Sequence, residues 1–143
     1  DKLFYLKLLV HFVGDLHQPL HIGRYEDRGA NRIYVKWFGR NSNLHRVWDS
    51  EMINSHNMSY SELALNLPNP DFLLFTEEAN DFKRGDVLNW VDEIHEYTNK
   101  IYADVSIDDK LGYEYQYKNF GTVKDLLLIG GIRLAKILNY LFD

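Results

Sequence analysis

Two segments of the chain repeat the pattern His-x-x-x-Asp: HFVGDLHQPLH, which begins at His11, and NLHRVWD, which ends at Asp49. Residues four apart lie one above the other on an α-helix, so His11 and Asp15 share one helix face, as do His45 and Asp49. A carboxylate that faces the interior is costly unless it is paired or bound to a metal ion. The pattern therefore favours a fold in which two helices carry metal ligands.

A further histidine, His21, lies just past the proline that should end the first helix. Zinc binds neutral imidazole nitrogen and carboxylate oxygen together at about 2.0–2.2 Å, and its catalytic sites commonly combine three protein ligands with an open water position. His21, His45 and Asp49 make one such set. The side chains that we predict as metal ligands are His11, Asp15, His21, His45 and Asp49.

Other polar residues near these motifs are weaker candidates for a role in the metal site. Pro19 lies between His17 and His21, so helical spacing does not apply, and we interpret His17 as structural or as a support for a ligand. Asp27 and Asn31 lie in the segment DRGAN between the two motifs. They either orient a ligand imidazole through its second nitrogen or cap a turn, and the sequence favours neither role.

Composition bounds the class of protein. The chain has 143 residues, of which 45% are hydrophobic and 26% charged, as in one soluble globular domain. Its formal charge of −5 argues against a broad basic face for duplex binding, although metal ions in a cleft let an acidic protein hold a phosphodiester. There is no cysteine and no apolar run long enough to span a membrane. The start within a predicted helix, without Met or a signal peptide, indicates a piece of a longer protein.

Hydrophobic spacing predicts a mainly α fold with a short β-ribbon. We expect helices over 1–16, from the N-cap candidates at 41–43 to about 55, and over 62–67, 72–83, 87–105 and 123–142, with a strand over 32–38. The first helix is expected to be mostly buried, and 106–113 to be a polar link. Gly130 and Gly131 predict close helix packing, since glycine within a helix costs about 1 kcal/mol relative to alanine.

Taken in order, HFVGDLHQPLH, DRGAN, NLHRVWD, NWVDEIHEY and GGIRLAKILN resemble the S1/P1 nuclease family of zinc-dependent, single-strand-specific nucleases. The resemblance extends over essentially the whole chain. It departs from the family where Ala30 follows Gly29, since the family usually has two glycines there. It implies a multi-helix bundle of the phospholipase C/nuclease type that holds three zinc ions in a cleft.

The resemblance also implies a role for each predicted ligand. His21, His45 and Asp49 correspond to the ligands of a separately placed zinc, His11 to a ligand of one member of a close zinc pair, and Asp15 to the catalytic carboxylate that bridges the pair. In such enzymes the remaining ligands come from an N-terminal part that has no counterpart here. We therefore expect residues 1–143 to be the incomplete C-terminal part of a single domain, inactive or nearly so in isolation.

The implied activity is endonucleolytic hydrolysis of single-stranded DNA and RNA to products with 5′ phosphates, together with a 3′-nucleotidase activity. In the family, a hydroxide held by the zinc pair attacks phosphorus in line while the third zinc stabilises the departing 3′ oxygen. The resemblance further implies a secreted or periplasmic protein whose substrate is single-stranded nucleic acid or a nucleotide. We expect a monomer.

Two alternatives stay open at this point. A zinc phospholipase C shares the fold and the trinuclear arrangement, but such enzymes usually have Glu at the position of Asp49 and lack the NLHxxWD form. In a non-catalytic helical module, the polar residues would form hydrogen bonds and ion pairs with one another. Such a protein would contain less than one zinc per chain.

Overall fold

The first helix, α1 (Lys2–Leu16), begins where the Asp1 carboxylate accepts a hydrogen bond from the backbone N–H of Leu3. In this computed structural model of the protein, the described residues are 1–67 and 82–142. The predicted helix is confirmed, but the prediction that it is mostly buried is wrong, since Val13 is its one buried residue. Its large exposed apolar side chains are Leu3, Phe4, Tyr5, Val10 and Phe12.

A 3₁₀ turn, Pro19–Ile22, follows α1 and carries His21. Proline cannot continue an α-helix because it lacks an N–H, but its fixed φ suits the first position of a turn. The Gln18 side chain caps the turn, as its Oε1 accepts a hydrogen bond from the Leu20 N–H at 2.6 Å. Leu20 is buried and anchors the turn in the core. His21 is thereby held close to the end of α1.

The small sheet has the strand order β2-β1-β3. Strand β1 (Tyr34–Trp37) pairs antiparallel with β2 (Arg40–Asn43), and parallel with β3 (Lys110–Leu111). The predicted ribbon is therefore confirmed. The prediction that 106–113 is only a polar link is wrong, because β3 lies within it. Residues 41–42, predicted as N-cap candidates, lie in β2, and only Asn43 caps the helix that follows.

The second predicted helix forms in three parts: α2 (Leu44–Arg46), a π-helical turn (Val47–Glu51) and α3 (Met52–Ser55). It begins where Oδ1 of Asn43 accepts a hydrogen bond from the Arg46 N–H at 2.8 Å, the usual N-cap contact. The π-helical turn is the part that spacing did not predict. It carries Asp49.

Three more helices complete the described part. Helix α4 (Tyr60–Leu65) starts with a capping box between Ser59 and Glu62, whose hydrogen bonds lower the pKa of the Glu62 carboxyl. Of the predicted helix over 72–83, residues 72–81 lie outside the described residues, and 82–83 are not helical. Helix α5 (Asp86–Asp104) matches the prediction, whereas α6 (Tyr113–Phe142) begins earlier than the predicted 123.

The main buried cluster lies between the small sheet and helices α2, α3, α5 and α6. Trp48 lies within it and donates a hydrogen bond from Nε1 to the Tyr115 hydroxyl at 2.9 Å; burial raises the pKa of that hydroxyl. The fully buried apolar residues of this cluster include Leu20, Leu44, Val47 and Met52. His45 and Asp49 alternate with these residues along the chain, so the core fixes the helix that carries both of them.

The mainly α architecture with a short β-ribbon is therefore confirmed. Across residues 1–67 and 82–142, no helix combines the length and the apolarity that crossing a membrane requires.

Candidate metal centre

His21, His45 and Asp49 come together from three neighbouring elements: the 3₁₀ turn, α2 and the π-helical turn. One potential ligand atom from each lies within 4.8 Å of the other two. Ligand atoms on a tetrahedral zinc ion are about 3.3 Å apart, because each is about 2.0–2.1 Å from the metal. Two imidazoles and a carboxylate thus fit a zinc ion after small side-chain rotations, and they leave a fourth position open.

A backbone carbonyl orients the His45 ring. Nδ1 of His45 lies 2.7 Å from the carbonyl oxygen of Gly29. A carbonyl oxygen only accepts hydrogen bonds, so Nδ1 carries the proton and Nε2 keeps the lone pair that a metal ion needs. Gly29 has φ +63°, and a Cβ there would lie 2.2 Å from the Leu20 carbonyl oxygen. Only glycine fits at this position.

The His21 ring lies between two carboxylates. Its Nε2 is 3.2 Å from Oδ1 of Asp49, and its Nδ1 is 3.5 Å from Oδ1 of Asp15. The ring also stacks on His45, with centroids 5.2 Å apart. His21 therefore connects the pair on α1 with the pair on the second helix.

The pair on α1 lies at the surface, so the expectation that its carboxylate faces the interior is wrong. Nε2 of His11 is 3.1 Å from Oδ2 of Asp15, and the side chains are 65% and 41% exposed. The exposure follows from the position of α1 at the edge of the described part, where it packs mainly on α6 and the 3₁₀ turn. The predicted ligands nevertheless form one row, His11, Asp15, His21 and Asp49, with His45 stacked on its centre.

Both ring nitrogens of His17 contact groups outside this row. It is buried, its Nδ1 lies 2.7 Å from the Val13 carbonyl oxygen, and its Nε2 lies 3.1 Å from a guanidinium nitrogen of Arg133. Arg133 in turn pairs with Glu93 on α5. A Cβ on Gly130 would lie 3.1 Å from Cγ of His17, so the predicted close packing is confirmed there. These contacts support a structural role for His17, in the packing of α1 against α6.

Asp27 and Asn31 make the hydrogen bonds of a turn cap. Oδ1 of Asp27 accepts a hydrogen bond from the Ala30 N–H at 2.7 Å, and Nδ2 of Asn31 donates to the Arg28 carbonyl at 2.9 Å. Their alternative role, orienting an imidazole, is performed by the Gly29 carbonyl. The sequence could not show this, since any residue has a carbonyl and only its conformation aims it at His45.

Tyr102 on α5 ties the same loop to the helical core. Its hydroxyl donates a hydrogen bond to Oδ1 of Asp27 at 2.8 Å and accepts one from the Arg24 N–H at 3.1 Å. Burial, together with the hydrogen bond to Asp27, raises the pKa of Tyr102 to about 12. The hydroxyl therefore stays protonated at neutral pH and holds the loop.

Comparison with known proteins agrees with the motif order. The family profile described as S1/P1 Nuclease matches residues 1–143. Endonuclease 4 of Arabidopsis thaliana is 34% identical over 153 residues, which cover 96% of this chain and 50% of the relative. Endonuclease 5 of the same plant is 36% identical over 153 residues, covering 96% and 51%. Nuclease P1 of Penicillium citrinum is 44% identical over 93 residues, covering 59% and 33%.

The chain spans about half the length of the Arabidopsis relatives that it matches. Both the profile match and these identities agree with the resemblance carried by HFVGDLHQPLH and NLHRVWD. The chain belongs to the S1/P1 nuclease family.

Proposed function

We propose that the whole protein is a zinc-dependent endonuclease that hydrolyses the phosphodiester bonds of single-stranded DNA and RNA to 5′-phosphate products, with 3′-nucleotidase activity in addition. The observation that carries the proposal is the convergence of His21, His45 and Asp49 within 4.8 Å in a chain of this family. The names of the relatives, endonucleases and nuclease P1, support the same activity.

The residues divide into two groups by position. His21, His45 and Asp49 would hold one zinc ion, with the Gly29 carbonyl keeping Nε2 of His45 unprotonated. One oxygen of Asp15 lies 3.1 Å from Nε2 of His11, and the other lies 3.5 Å from Nδ1 of His21. By the family resemblance, Asp15 would be the carboxylate that bridges the close zinc pair. Bound zinc would polarise the phosphate and lower the pKa of water.

We propose that this chain holds only part of the catalytic centre. Within residues 1–67 and 82–142, one group of three candidate ligand residues meets the geometry for an ion. His11 and Asp15 offer two further ligands, fewer than a second site of three requires. The relatives are about twice as long, and the exposed apolar side chains on α1 offer a packing surface for a further segment. Residues 1–143 alone should therefore have little or no nuclease activity.

We also propose, on the family resemblance, that the protein is monomeric and is secreted or periplasmic. Fractionation of the source cells tests the location. Recovery of the protein with the cytoplasm alone would contradict it.

The test of the activity is digestion of single-stranded DNA by the full-length protein, with and without a chelator. We expect cleavage that stops in chelator and returns when zinc is added. Undiminished cleavage in chelator would contradict the zinc mechanism. A parallel assay on phosphatidylcholine tests the phospholipase C alternative, which the Asp at position 49 and the NLHRVWD motif do not favour.

A further inference from the structure

We propose that the loop formed by residues 23–32, here called the arginine loop, docks the phosphates of a single-stranded nucleic acid that flank the one being cleaved. Its three arginines, Arg24, Arg28 and Arg32, are the residues that would hold them. The inference rests on the proposed function and adds a substrate-binding surface to it.

The arginine loop and the metal centre share one cleft. A cavity of about 1170 Å³ is lined both by Asp15, His21 and His45 and by the three arginines. A strand with one phosphate at the candidate ligands would therefore run along the arginine loop. The planar guanidinium of arginine matches the oxygens of a phosphate with two parallel hydrogen bonds.

In the part of the chain that the structure describes, no carboxylate lies within ion-pair distance of these arginines. Arg46 nearby, by contrast, pairs with Glu51 at 3.3 Å. The cleft also contains two carboxylates, Glu26 and the candidate ligand Asp15. The three cations still leave its lining with a net formal charge of +1, in a chain whose formal charge is −5.

Two of the arginines are braced, one by helix α5 and one within the loop. The guanidinium of Arg24 lies 4.2 Å from the centre of the Tyr102 ring, and Nη1 of Arg32 donates to the Glu26 carbonyl at 2.8 Å. A guanidinium has five N–H donors, so each still has donors to offer a phosphate. Bracing lowers the entropy that the side chain loses when it binds.

Arg28 occupies an unusual conformation for its residue type. Its φ is +56°, in the left-handed region that glycine and asparagine adopt more readily. It directly precedes Gly29, whose carbonyl orients His45. Ala30 has a similar φ of +64°, so the conformation belongs to the turn formed by Arg28, Gly29 and Ala30. This turn places the Arg28 cation next to the residue that orients the metal ligand.

Tyr25 favours a single strand as the occupant. It lines the same cleft and is 93% exposed. Proteins that bind single strands combine a basic groove with aromatic rings on which unpaired bases stack, and a duplex offers no such bases.

The test is binding of a fluorescent octamer of thymidine nucleotides to the full-length protein freed of metal with a chelator, so that no cleavage occurs. Fluorescence anisotropy at a series of salt concentrations gives the affinity and its salt dependence. We expect Arg28→Asn and Arg32→Asn each to weaken binding roughly three- to tenfold at low salt, and each to lower the slope of log K against log salt by about 0.7. Asparagine tolerates a positive φ, so Arg28→Asn should keep the loop conformation.

Three further variants sharpen the test. Glu26→Gln removes a negative charge from the cleft and should tighten binding. Tyr25→Ala removes a stacking surface and should weaken binding without changing the salt slope, because stacking involves no counterion release. Arg40→Asn, on β2 and outside the cleft, makes the same change of charge and should leave the slope unaltered.

The inference is overturned if the metal-free wild-type protein does not bind the octamer, or if Arg28→Asn and Arg32→Asn bind it with the wild-type slope. It is also overturned if Arg40→Asn lowers the slope as much as they do. A separate cleavage assay with the zinc-loaded protein tests the proposed function. If the protein cleaves but its binding of the octamer does not depend on the arginines, only this inference is contradicted. If binding depends on the arginines but the zinc-loaded protein does not cleave, only the proposed function is contradicted.

Discussion

The carbonyl oxygen of Gly29 lies 2.7 Å from Nδ1 of His45, and this contact determines which nitrogen of the imidazole can bind a metal ion. The contact depends on the left-handed conformation of Gly29, which turns its carbonyl toward the ring while its missing Cβ lets the Leu20 carbonyl approach. Loop conformation and ligand chemistry are thus coupled at one residue.

Substitution of Gly29 tests this coupling. Gly29→Ala brings a Cβ within 2.2 Å of the Leu20 carbonyl oxygen, so the loop must shift and release His45. We expect zinc affinity to fall by about 10- to 100-fold, the range for loss of a hydrogen bond to a ligand imidazole. Gly39→Ala is the matched control, because Gly39 has φ +79° but nothing within 4 Å of its Cβ position. Equal zinc affinities of the two variants, measured by competition with a chelator, would contradict the coupling.

The two glycines in α6, Gly130 and Gly131, should respond differently to substitution. Gly131→Ala meets nothing within 4 Å and should raise the free energy of unfolding by about 0.5–1 kcal/mol, since alanine is the better helix former. At Gly130, a Cβ would crowd His17 at 3.1 Å, so Gly130→Ala should give no gain or a loss. Urea unfolding of both variants measures the difference. An equal increase in the free energy of unfolding at both positions would contradict this prediction, because His17 would then move aside without cost.

The Tyr102 hydroxyl should make the free energy of unfolding fall as the pH becomes alkaline. Its pKa is raised to about 12 in the folded protein, so its protonated form stabilises the fold fully below the unfolded pKa of about 10. This contribution is lost as the pH rises from about 10 through about 12. Tyr102→Phe should cost about 1 kcal/mol at neutral pH through lost hydrogen bonds, and should lose less stability than wild type above pH 10. If the free energies of unfolding of wild type and Tyr102→Phe changed in parallel between about pH 7 and pH 12, this role of Tyr102 would be refuted.

Asp15 should matter more for catalysis than for binding of the zinc ion that we propose for His21, His45 and Asp49. Asp15→Asn keeps the size of the side chain but removes the charge needed by a bridging carboxylate. We expect the full-length variant to retain that zinc and to lose nuclease activity by roughly 100-fold or more. Metal analysis together with a single-stranded DNA assay measures both. Activity close to that of wild type would remove Asp15 from the catalytic group.

Local spacing was enough to predict that His11 lies near Asp15 and His45 near Asp49, but not how these side chains are held. The pair His45 and Asp49 lies on one helix, so the sequence separation alone limits the distance between them. The π-helical turn that carries Asp49 depends on packing around it, as its residues have no distinctive pattern. The orienting carbonyl of Gly29 is likewise a product of loop conformation. A sequence pattern shows which side chains are present, but it does not show which way a backbone carbonyl points.

Long-range contacts account for the other differences from prediction. Strand β3 is two residues long, and its partner β1 lies more than seventy residues earlier, so no local alternation indicates it. The apolar spacing of α1 correctly predicted a helix, but spacing indicates which face is apolar and not what covers it. The start of α6 at Tyr113 escaped prediction because residues 113–122 have a polar, tyrosine-rich sequence.

The central claim is that His21, His45 and Asp49 hold a zinc ion, and the zinc content of purified full-length variants tests it most directly. His45→Ala should lose one zinc per chain relative to wild type, because it removes the ligand that Gly29 orients. His95→Ala, which removes an exposed histidine of α5, is the matched control and should keep the wild-type content. If His45→Ala retains as much zinc as wild type and His95→Ala, these residues are not the metal site.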